Sequence, residues 1–560
     1  MDFAAFIPPK ARCVVEFGCG DGSTGQRFRQ IQPECRYIGV DTDASALTVA
    51  AGRLSQTVRE SFPSMDLARY GIGQVDALVY HSAFLSAGAL VSKLREQAEY
   101  LADGGQMVFF LDNPGYLRNV LALWQGKTPL YPGALALPEV VKGIAAAGLK
   151  LDVVQPQHDM EDALLAKRPE MQQLIHSFVA FCQAQQVRMQ TDMWAQSFVV
   201  RAMKCVRPEP SMVLQTIIGE ATACARVRIH EPHQFCRTMF GVSSDDRVGG
   251  ANLEIGKHYQ QRVVIRQRMR MTRGLTDLLE LEKVVMQDGY VLMFEMDDNP
   301  MLWREQYEAM HFADFIYCHA IQVSTPRLAA FMRQFNPNVV VFPNELTYLP
   351  EPRVYPADGP VTIFFGALNR GADWQEIMPV LNELLAQYGD RVQVRVVFDR
   401  SFYDALRTEH KELVGTEYPK GFAPYSVYED ALHGSDIALL PLRDTPFNVM
   451  KSDLKFIECA GHGTVALASP TVYADTVQDG VTGCIYHDVE EFRAKLTMLI
   501  ENRERRQRIA AAAYEYVKGH RLLSQHYEER VQFYRSLCAH LPELNQDMAR
   551  RLAKLKEVMG

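Results

Sequence analysis

Residues 441–469 read PLRDTPFNVMKSDLKFIECAGHGTVALAS and combine a polar loop, a helical pattern and an apolar run. The apolar residues 437–442 run into this stretch, and we predict that they form a strand. A helix is predicted to begin near Asp453 and to end at the glycines around 461–463, and residues 464–468 are predicted as the next strand. The pattern of strand, polar loop and helix start indicates an anion site in an α/β sheet. Amide groups at a helix start are unpaired, and the helix dipole is positive there.

Three charged side chains fit this interpretation. Lys451 and Lys455 add positive charge to the loop and to the first helical turn. Glu458 lies one turn further on, where a carboxylate can accept hydrogen bonds from the vicinal hydroxyls of a sugar. The alternative interpretation is an ordinary buried βα unit with two solvated lysines.

The same stretch resembles the donor-binding motif of retaining GT-B glycosyltransferases, in which a loop, a helix start and a glutamate hold a nucleotide sugar. Glu458 matches the ribose-binding glutamate of that family, and residues 472–483, VYADTVQDGVTG, match its closing stretch. The earlier acid of the paired-glutamate motif falls at Met450, so this family contact is missing. The resemblance implies nucleotide-sugar contacts from Asn448, Lys451, Lys455 and Glu458.

The turn after the predicted strand 360–366 bears on the same ligand. GT-B relatives often place an arginine and a lysine in this turn to hold the diphosphate, but Ala367 and Ala372 occupy those positions. The resemblance therefore implies that Asn369 and Arg370 replace them from shifted positions. Two further nucleotide-sugar candidates follow the next predicted strand, namely Asp399 and Arg400.

Composition excludes several classes of protein. The chain has 560 residues, enough for three or four domains, with 48% hydrophobic and 22% charged residues. The net charge is -8 and no basic stripe is present, so we expect no nucleic-acid partner. The 11 cysteines contain no C-x-x-C pair, which favours a cytoplasmic location. No signal peptide and no bilayer-spanning run is visible, so we expect at most peripheral membrane contact.

The first 205 residues carry a second ligand-binding pattern. Residues 13–17 are predicted as a buried strand, and the turn 18–22, GCGDG, leads into a helix near Ser23. Glycines allow the backbone to approach a ligand closely at such a turn. Residues 36–40 are predicted as the next strand, and Asp41 at its end can accept hydrogen bonds from both ribose hydroxyls.

This region resembles class I S-adenosylmethionine-dependent methyltransferases. Residues 16–22, EFGCGDG, look like their first motif, and residues 101–111 look like their late helix, Gly-Gly turn and strand. The resemblance implies S-adenosylmethionine contacts from Glu16, Gly18, Gly20, Gly22 and Asp41. Where relatives often carry an acidic catalytic segment, residues 80–85 read YHSAFL, and His81 is either a base or a polar residue at a strand end. An active enzyme and a non-catalytic scaffold therefore both remain open.

Residues 207–210, RPEP, are predicted to be a linker into a middle region. Residues 223–232, ACARVRIHEP, are predicted as a short strand that ends in basic and acidic side chains. Four more predicted strands follow at 261–268, 289–295, 320–324 and 338–343. Strands that alternate with helical stretches predict a parallel, doubly wound sheet whose ligands bind where the strands end.

Four polar residues of this region are candidates for contacting the transferred sugar or the acceptor. Asp297 and Asp298 resemble the metal motif of the GT-A fold, but adjacent side chains point in different directions and GT-B enzymes generally need no metal. We expect these acids to bind hydroxyls or to cap the following helix, and we expect no metal. His311 and His319 are further candidates, although a histidine near a strand is more often structural.

The whole chain resembles bacterial fusions of a methyltransferase-like domain with a GT-B glycosyltransferase. The predicted fold class is α/β, with three Rossmann-like domains at 1–205, 206–355 and 356–518 and a helical segment at 519–560. The resemblance implies transfer of a sugar, with retention, from a nucleotide sugar to a glycan, a lipid-linked glycan or a protein hydroxyl. The predicted catalytic residues are His319, Asp297, Asp298, Arg370 and Lys451.

Other functions remain open from the sequence. The first domain is either an enzyme or a scaffold, and a nucleotide-sugar-binding assembly protein without turnover would share the same motifs. A homo-oligomer is also compatible with the sequence.

Overall fold

The structure, a computed structural model, contains three β-sheets with helices packed against them. The residues that it describes are 3–85, 87–128, 135–159, 167–170, 172–173, 177, 192–204, 209–219, 223–366, 370–418 and 424–559. The described strands are numbered β1 to β19 in chain order below. No helix in this part of the chain combines the length and the apolar character that crossing a bilayer requires.

The first sheet has the order β3-β2-β1-β4-β5-β7-β6, and β7 runs antiparallel to both of its neighbours. Strands β1, β2, β4 and β5 are buried on both faces along most of their length, as expected for strands covered by helices, whereas the edge strand β6 is mostly exposed. The strands are β1 Cys13–Phe17, β2 Arg36–Asp41, β3 Gln56–Arg59, β4 Val75–His81, β5 Leu101–Asp112, β6 Lys150–His158 and β7 Ala195–Met203. The helices are Ser23–Ile31, Ala44–Ala50, Leu90–Ala98, Leu117–Trp124 and Leu137–Ala146.

The second sheet has the order β13-β12-β11-β10-β8-β9, and β10 pairs in parallel with both β8 and β11. The strands are β8 Met212–Ile218, β9 Val242–Val248, β10 Gln261–Gln267, β11 Val291–Met296, β12 Ala320–Val323 and β13 Val339–Val341. The helices are Ala223–Ala225, Arg226–His230, Glu231–Cys236, Leu275–Asp288, Arg304–Ala309, Ala313–Ile316 and Pro326–Met332.

The predicted strand at 223–232 is wrong, because these residues are helical. The segment Arg226–His230 is a π-helical turn inside this stretch. Ala225, Arg228 and Ile229 are buried at helical spacing, which the alternating sequence concealed. Arg228 tolerates full burial because its Nε lies 2.8 Å from Oε1 of Glu295. The strand of this βα unit is β8, whose apolar sequence was not recognised.

The third sheet is parallel throughout and has the order β16-β15-β14-β17-β18-β19. The strands are β14 Val361–Phe365, β15 Val392–Val397, β16 Lys411–Val414, β17 Ile437–Leu440, β18 Val465–Ala468 and β19 Cys484–Ile485. The helices are Gly371–Trp374, Met378–Tyr388, Arg400–Ala405, Tyr425–His433, Leu454–Gly461, Pro470–Tyr473, Val489–Glu501 and Arg503–His520. Two helices, Leu523–Ala539 and Leu541–Met559, end the chain.

These sheets confirm the predicted α/β fold class with Rossmann-like sheets. The helix Leu454–Gly461 lies where it was predicted, and Gly463 ends it with a left-handed φ of 70°. Residues 101–111 differ slightly from the prediction, since they all belong to β5, and the preceding helix already ends at Ala98.

The chain forms two compact units, which are Met1–Pro210 with Arg237–Val242, and Ser211–Cys236 with Ser243–Gly560. The first sheet belongs to the first unit. The third sheet and nearly all of the second belong to the second unit. The predicted domain boundary at residues 355 and 356 inside the second unit stays a prediction.

The last helix packs against the second sheet, where Met548, Leu552 and Leu555 join its apolar core. His319 is fully buried beside this helix. Its Nδ1 accepts a hydrogen bond of 2.8 Å from the amide of Leu292, and its Nε2 lies 2.9 Å from Oδ1 of Asn545. His319 precedes β12, so it lies at the amino end of that strand. Ligands of parallel sheets usually bind at the carboxyl ends, so this position does not favour a catalytic role for His319, and that role stays a prediction.

Burial lowers the pKa of His319 from 6.5 to about 4. The unfolded chain therefore binds an additional proton between these two values, and the contribution of His319 to stability falls as the pH is lowered through this window. In His319→Asn, Oδ1 of the asparagine can replace Nδ1 as the acceptor, but the side chain does not titrate. We predict that lowering the pH from about 7 to about 4.5 reduces the free energy of unfolding of this variant by about 2 kcal/mol less than it reduces that of the native chain. Denaturant unfolding at the two pH values measures this difference, and an unchanged pH dependence would contradict a neutral buried His319.

Candidate functional site

The third sheet offers a ligand site where its strand order reverses. The chain leaves β14 towards β15 and β16 and later returns on the other side of β14 as β17. Ligands of open parallel sheets bind outside the carboxyl ends of strands at such a point. Arg370 follows β14, and the loop that contains Asn448 and Lys451 follows β17. Asn369, a predicted contact, lies outside the described residues.

Three polar side chains join the two loops at this edge. Nη1 of Arg370 lies 3.3 Å from Oδ1 of Asn448 and 3.3 Å from Oδ2 of Asp373. Nδ2 of Asn448 donates to Oδ1 of Asp373 at 3.0 Å and to the carbonyl of Arg443 at 3.0 Å. The structure therefore brings the predicted residues Arg370 and Asn448 together, and Asp373 balances part of the arginine charge.

Lys451 makes an ion pair with Asp298, which follows β11 of the second sheet. Nζ of Lys451 lies 2.9 Å from Oδ1 of Asp298. Asp297 binds a different cation, because Nε of Arg268 lies 2.6 Å from its Oδ1, and Arg268 also lies 3.6 Å from Asp298. Burial opposes ionisation of Asp297, but Arg268 outweighs it and holds the pKa of Asp297 below its usual value. Both adjacent acids thus contact Arg268, and Asp298 also pairs with Lys451. The helix that follows is capped by Asn299 and not by either acid, and the predicted hydroxyl contacts stay a prediction.

Asp297 and Asp298 are also the residues that resemble the metal motif of the GT-A fold, although we expect no metal there. Within the ranges given above, no three His, Cys, Asp or Glu side chains form a group that would hold a metal ion.

Glu458 is held by hydroxyl and ammonium groups of its own domain. Only 2% of the residue is exposed. Its Oε1 accepts a hydrogen bond of 2.5 Å from the hydroxyl of Tyr425. Its Oε2 lies 2.9 Å from the hydroxyl of Tyr428 and 3.0 Å from Nζ of Lys455. Burial first, and then the charge of Glu458, raise the pKa of both tyrosines well above the usual value, so both remain donors.

Arg226 covers this group from the other side. Its guanidinium lies 4.1 Å from the ring centroid of Tyr425, and its Nε lies 2.6 Å from Oε1 of Glu231. Burial raises the pKa of Glu231 although Arg226 opposes that shift. Arg226, Glu231, Tyr425 and Glu458 line a cavity of about 20 Å³, about the space that one water molecule needs. Sequence reasoning missed both tyrosines, and their i, i+3 spacing after Pro424 was the available signal.

Three predicted ligand contacts lie elsewhere. Asp399 caps the helix Arg400–Ala405 by accepting from the amide of Phe402 at 2.9 Å. Arg400 is largely exposed and pairs with Asp404 at 2.9 Å. His311 is an exposed residue in the turn after helix Arg304–Ala309, with φ of 49°. The structure shows helix-capping and surface contacts for these residues, and their predicted ligand contacts stay predictions.

The glycine turn of the first unit has the backbone that its sequence predicted. Gly18, Gly20 and Gly22 have φ values of 82°, 52° and 79°, which favour glycine. The amide of Gly20 donates to Oδ2 of Asp41 at 2.9 Å. A Cβ added at Gly20 would meet no atom within 4 Å, so this side of the turn faces open space. Such a cradle fits close approach of a ligand to the backbone.

The two predicted carboxylates of this unit have separate environments. Oδ1 of Asp41 accepts from the amides of Thr42 and Asp43 at 2.7 and 3.0 Å, so Asp41 fixes the end of β2 as well as the glycine turn. Glu16 is fully buried, and its Oε1 lies 2.7 Å from Nε2 of His81. The side chain of Glu16 thus faces His81, which is the last residue of β4.

A family model described as a methyltransferase domain matches residues 15–107, and one described as glycosyl transferase-like matches residues 395–536. No curated protein matches the sequence. One similar solved structure is an S-adenosylmethionine-dependent methyltransferase from Mesorhizobium loti, which is 16% identical in sequence. The match covers 36% of this chain and 94% of that chain, with a TM-score of 0.25.

Two further similar structures each match 59% of this chain. HepE from Anabaena, in complex with UDP and glucose, is 11% identical, with 59% of this chain and 100% of that chain covered and a TM-score of 0.42. Sucrose-phosphate synthase from Thermosynechococcus elongatus is 13% identical, with 59% and 100% covered and a TM-score of 0.43. The two family matches thus lie in different parts of the chain, a methyltransferase-domain match on the first sheet and a glycosyl transferase-like match that begins in the third sheet.

Proposed function

We propose that the second unit transfers a sugar from a nucleotide-sugar donor to a hydroxyl of a glycan, a lipid-linked glycan or a protein. The observation that carries this proposal is the position of Lys451. It lies in the loop after β17, inside the segment that matches the glycosyl transferase-like family, and pairs across to Asp298. A donor diphosphate that replaced Asp298 as the partner of Lys451 would bring both sheets to one ligand.

The chemistry required of the protein is mainly electrostatic. Departure of the nucleoside diphosphate leaves negative charge, and fixed donors at that position lower the barrier. Lys451, Arg370 and the start of helix Leu454–Gly461 supply those donors. Retention of configuration follows if the departing phosphate takes the acceptor proton, and no dedicated carboxylate base is then needed. Closure of the two sheets would exclude water from this step.

We further propose that Glu458 accepts hydrogen bonds from the ribose hydroxyls. Its oxygens already accept from Tyr425 and Tyr428, so a ribose hydroxyl would take the place of one tyrosine hydroxyl. Glu458 loses one hydrogen bond from a tyrosine and gains one from the ribose, so the number of hydrogen bonds to the charged acceptor does not change. The free-energy change of this exchange is therefore small. Lys455 stays with Glu458 and orients it.

The first unit, in our proposal, binds S-adenosylmethionine at the open side of Gly20, with Asp41 near its ribose. Bound S-adenosylmethionine supplies an activated methyl group. A scaffold role is the second candidate, and it is favoured by the satisfied state of Asp41, whose oxygens accept three backbone hydrogen bonds. Roles in bacterial surface glycans and a cytoplasmic location remain predictions, as does a homo-oligomer.

We predict that Lys451→Ala weakens binding of the cognate nucleoside diphosphate by about 10- to 100-fold, because a charged hydrogen bond contributes about 1.5–3 kcal/mol. Titration calorimetry with UDP, GDP and ADP measures the affinities. Lys257→Ala is the matched control, since Lys257 also makes an ion pair of 2.7 Å, with Glu254, but precedes β10 at the opposite sheet edge. Equal affinities in Lys451→Ala and the native protein would exclude Lys451 from the donor site.

We predict that Tyr425→Phe tightens nucleoside diphosphate binding by about tenfold, because Glu458 loses the internal donor with which ribose competes. The phenylalanine ring retains the stacking surface for Arg226. Glu458→Gln should instead weaken binding by about tenfold. Calorimetry on both variants tests this exchange. Weaker binding in Tyr425→Phe would show that Glu458 is a structural residue.

We predict that Gly20→Val abolishes S-adenosylmethionine binding, because its side chain would occupy the open side of the turn. Gly71→Val is the matched control. Gly71 has φ of 66°, and its Cβ would also meet nothing within 4 Å, but it precedes β4 at the other edge of the sheet. Calorimetry compares the variants. Loss of binding in both would indicate backbone strain, and normal binding in Gly20→Val would refute the pocket.

A further inference from the structure

The first unit contains a histidine–carboxylate pair that neither donor binding nor the fold explains. Glu16 ends the buried strand β1 and His81 ends β4, and these strands are neighbours in the sheet. Oε1 of Glu16 lies 2.7 Å from Nε2 of His81. The chain reverses its strand order between β1 and β4, so the pair lies at the reversal point, where α/β sheets bind ligands.

The charge of Glu16 has only this histidine as an ionic partner. The glutamate is fully buried, and among the described residues no lysine or arginine pairs with it. Two neighbours remain neutral. Burial, followed by the charge of Glu16, raises the pKa of Tyr37 well above its usual value and that of Cys19 to about 12. A buried carboxylate without a hydrogen-bond donor is costly, so Glu16 favours the tautomer in which Nε2 of His81 carries the proton.

His81 also borders a cavity of about 300 Å³. Phe3 and Phe110 flank its ring at centroid distances of 5.5 and 5.2 Å. Asp112 and Ser197, which pair between β5 and β7, add polar groups to the lining. No lysine or arginine is among the described residues that line it. This lining disfavours an anion, and its aromatic rings, carboxylate and hydroxyl suit a molecule with an apolar face and several hydrogen-bonding atoms.

We propose that His81 is the general base of a hydroxyl O-methylation in this cavity, that Glu16 positions its ring, and that the acceptor is an uncharged sugar hydroxyl. This inference rests on the proposed binding of S-adenosylmethionine to the same unit. A hydroxyl keeps its proton until the transition state, so it needs a positioned base, whereas a neutral amine can attack first and lose its proton afterwards.

The reaction is balanced by one proton transfer. The acceptor oxygen forms its bond to the methyl carbon while the bond from that carbon to the sulfonium sulfur breaks, and the electron pair stays on the sulfur. The hydroxyl proton passes to Nδ1 of His81, which has no hydrogen-bond partner among the described residues. The proton on Nε2 stays there and is donated in a hydrogen bond to Glu16, so the carboxylate stabilises the imidazolium as it forms.

The first test needs no turnover. Long-range proton–nitrogen spectra of the full chain with labelled histidine report which ring nitrogen carries the proton, and the signal lost in His81→Gln identifies His81. We expect the Nε2-protonated tautomer in the native protein and loss of that preference in Glu16→Gln. A Nδ1-protonated ring, or an unchanged ring in Glu16→Gln, would overturn the positioning role.

The second test measures transfer from radiolabelled S-adenosylmethionine to the methyl glycosides of glucose, galactose and mannose, with butylamine as the amine probe. We expect glycoside methylation that falls by about 100-fold or more in His81→Gln, while the affinity for S-adenosylmethionine stays within about threefold. Added imidazole should restore part of the activity to His81→Ala, but not to the double variant that also carries Glu16→Gln. His487→Gln, which alters another histidine–carboxylate pair at 3.0 Å in the second unit, is the control.

The outcomes separate the two proposals. Absence of S-adenosylmethionine binding in the native protein would refute the proposed function of the first unit. Binding with methyl transfer only to butylamine, or with no transfer to any glycoside, would refute the acceptor class. Transfer that persists in His81→Gln, or imidazole rescue that does not depend on Glu16, would refute the assigned base.

Discussion

The ion pair between Lys451 and Asp298 is the contact on which the proposed glycosyl transfer depends. It joins the loop after β17 to the end of β11 at 2.9 Å, and both side chains are less than one-fifth exposed. A partly buried charge must keep a partner, since an unpaired one is strongly destabilising. In the proposed function, Asp298 holds the position of the anionic ligand, and Arg268 would keep a cation beside the aspartates when Lys451 exchanged partners.

The sheets could be predicted largely because their strands are continuous apolar runs. Strands β14, β15, β17 and β18 were predicted to within about two residues at each end. The error at 223–232 has a specific cause. Arg228 occupies a core position of a helix, and its pairing with Glu295, which is 67 residues away, together with hydrogen bonds to Phe342 and Asn344, makes that burial tolerable. A single sequence does not display such a partner, so alternating polar and apolar residues suggested a strand.

Only part of each candidate site could be predicted, again because a single sequence does not display distant partners. Local signals such as the glycine turn, a lysine near a helix start and a glutamate one turn further on mark where a ligand could bind. They do not reveal what already bonds to those groups. Asp298 lies 153 residues from Lys451, and Tyr425 lies 33 residues from Glu458. The sequence suggested a catalytic role for His319. In the structure, its partner Asn545 lies 226 residues away and gives the histidine a structural contact.

Two buried glutamates with different partners show how the same side chain acquires different chemistry. Glu458 is bonded by tyrosine hydroxyls, whose raised pKa keeps them as donors, and sugar hydroxyls can replace such donors without moving a proton. Glu16 is bonded by an imidazole, whose second ring nitrogen is left to face the cavity. The first environment is suited to binding and the second to proton transfer. The partner supplied by the neighbouring strand or helix thus decides which role a buried carboxylate can perform.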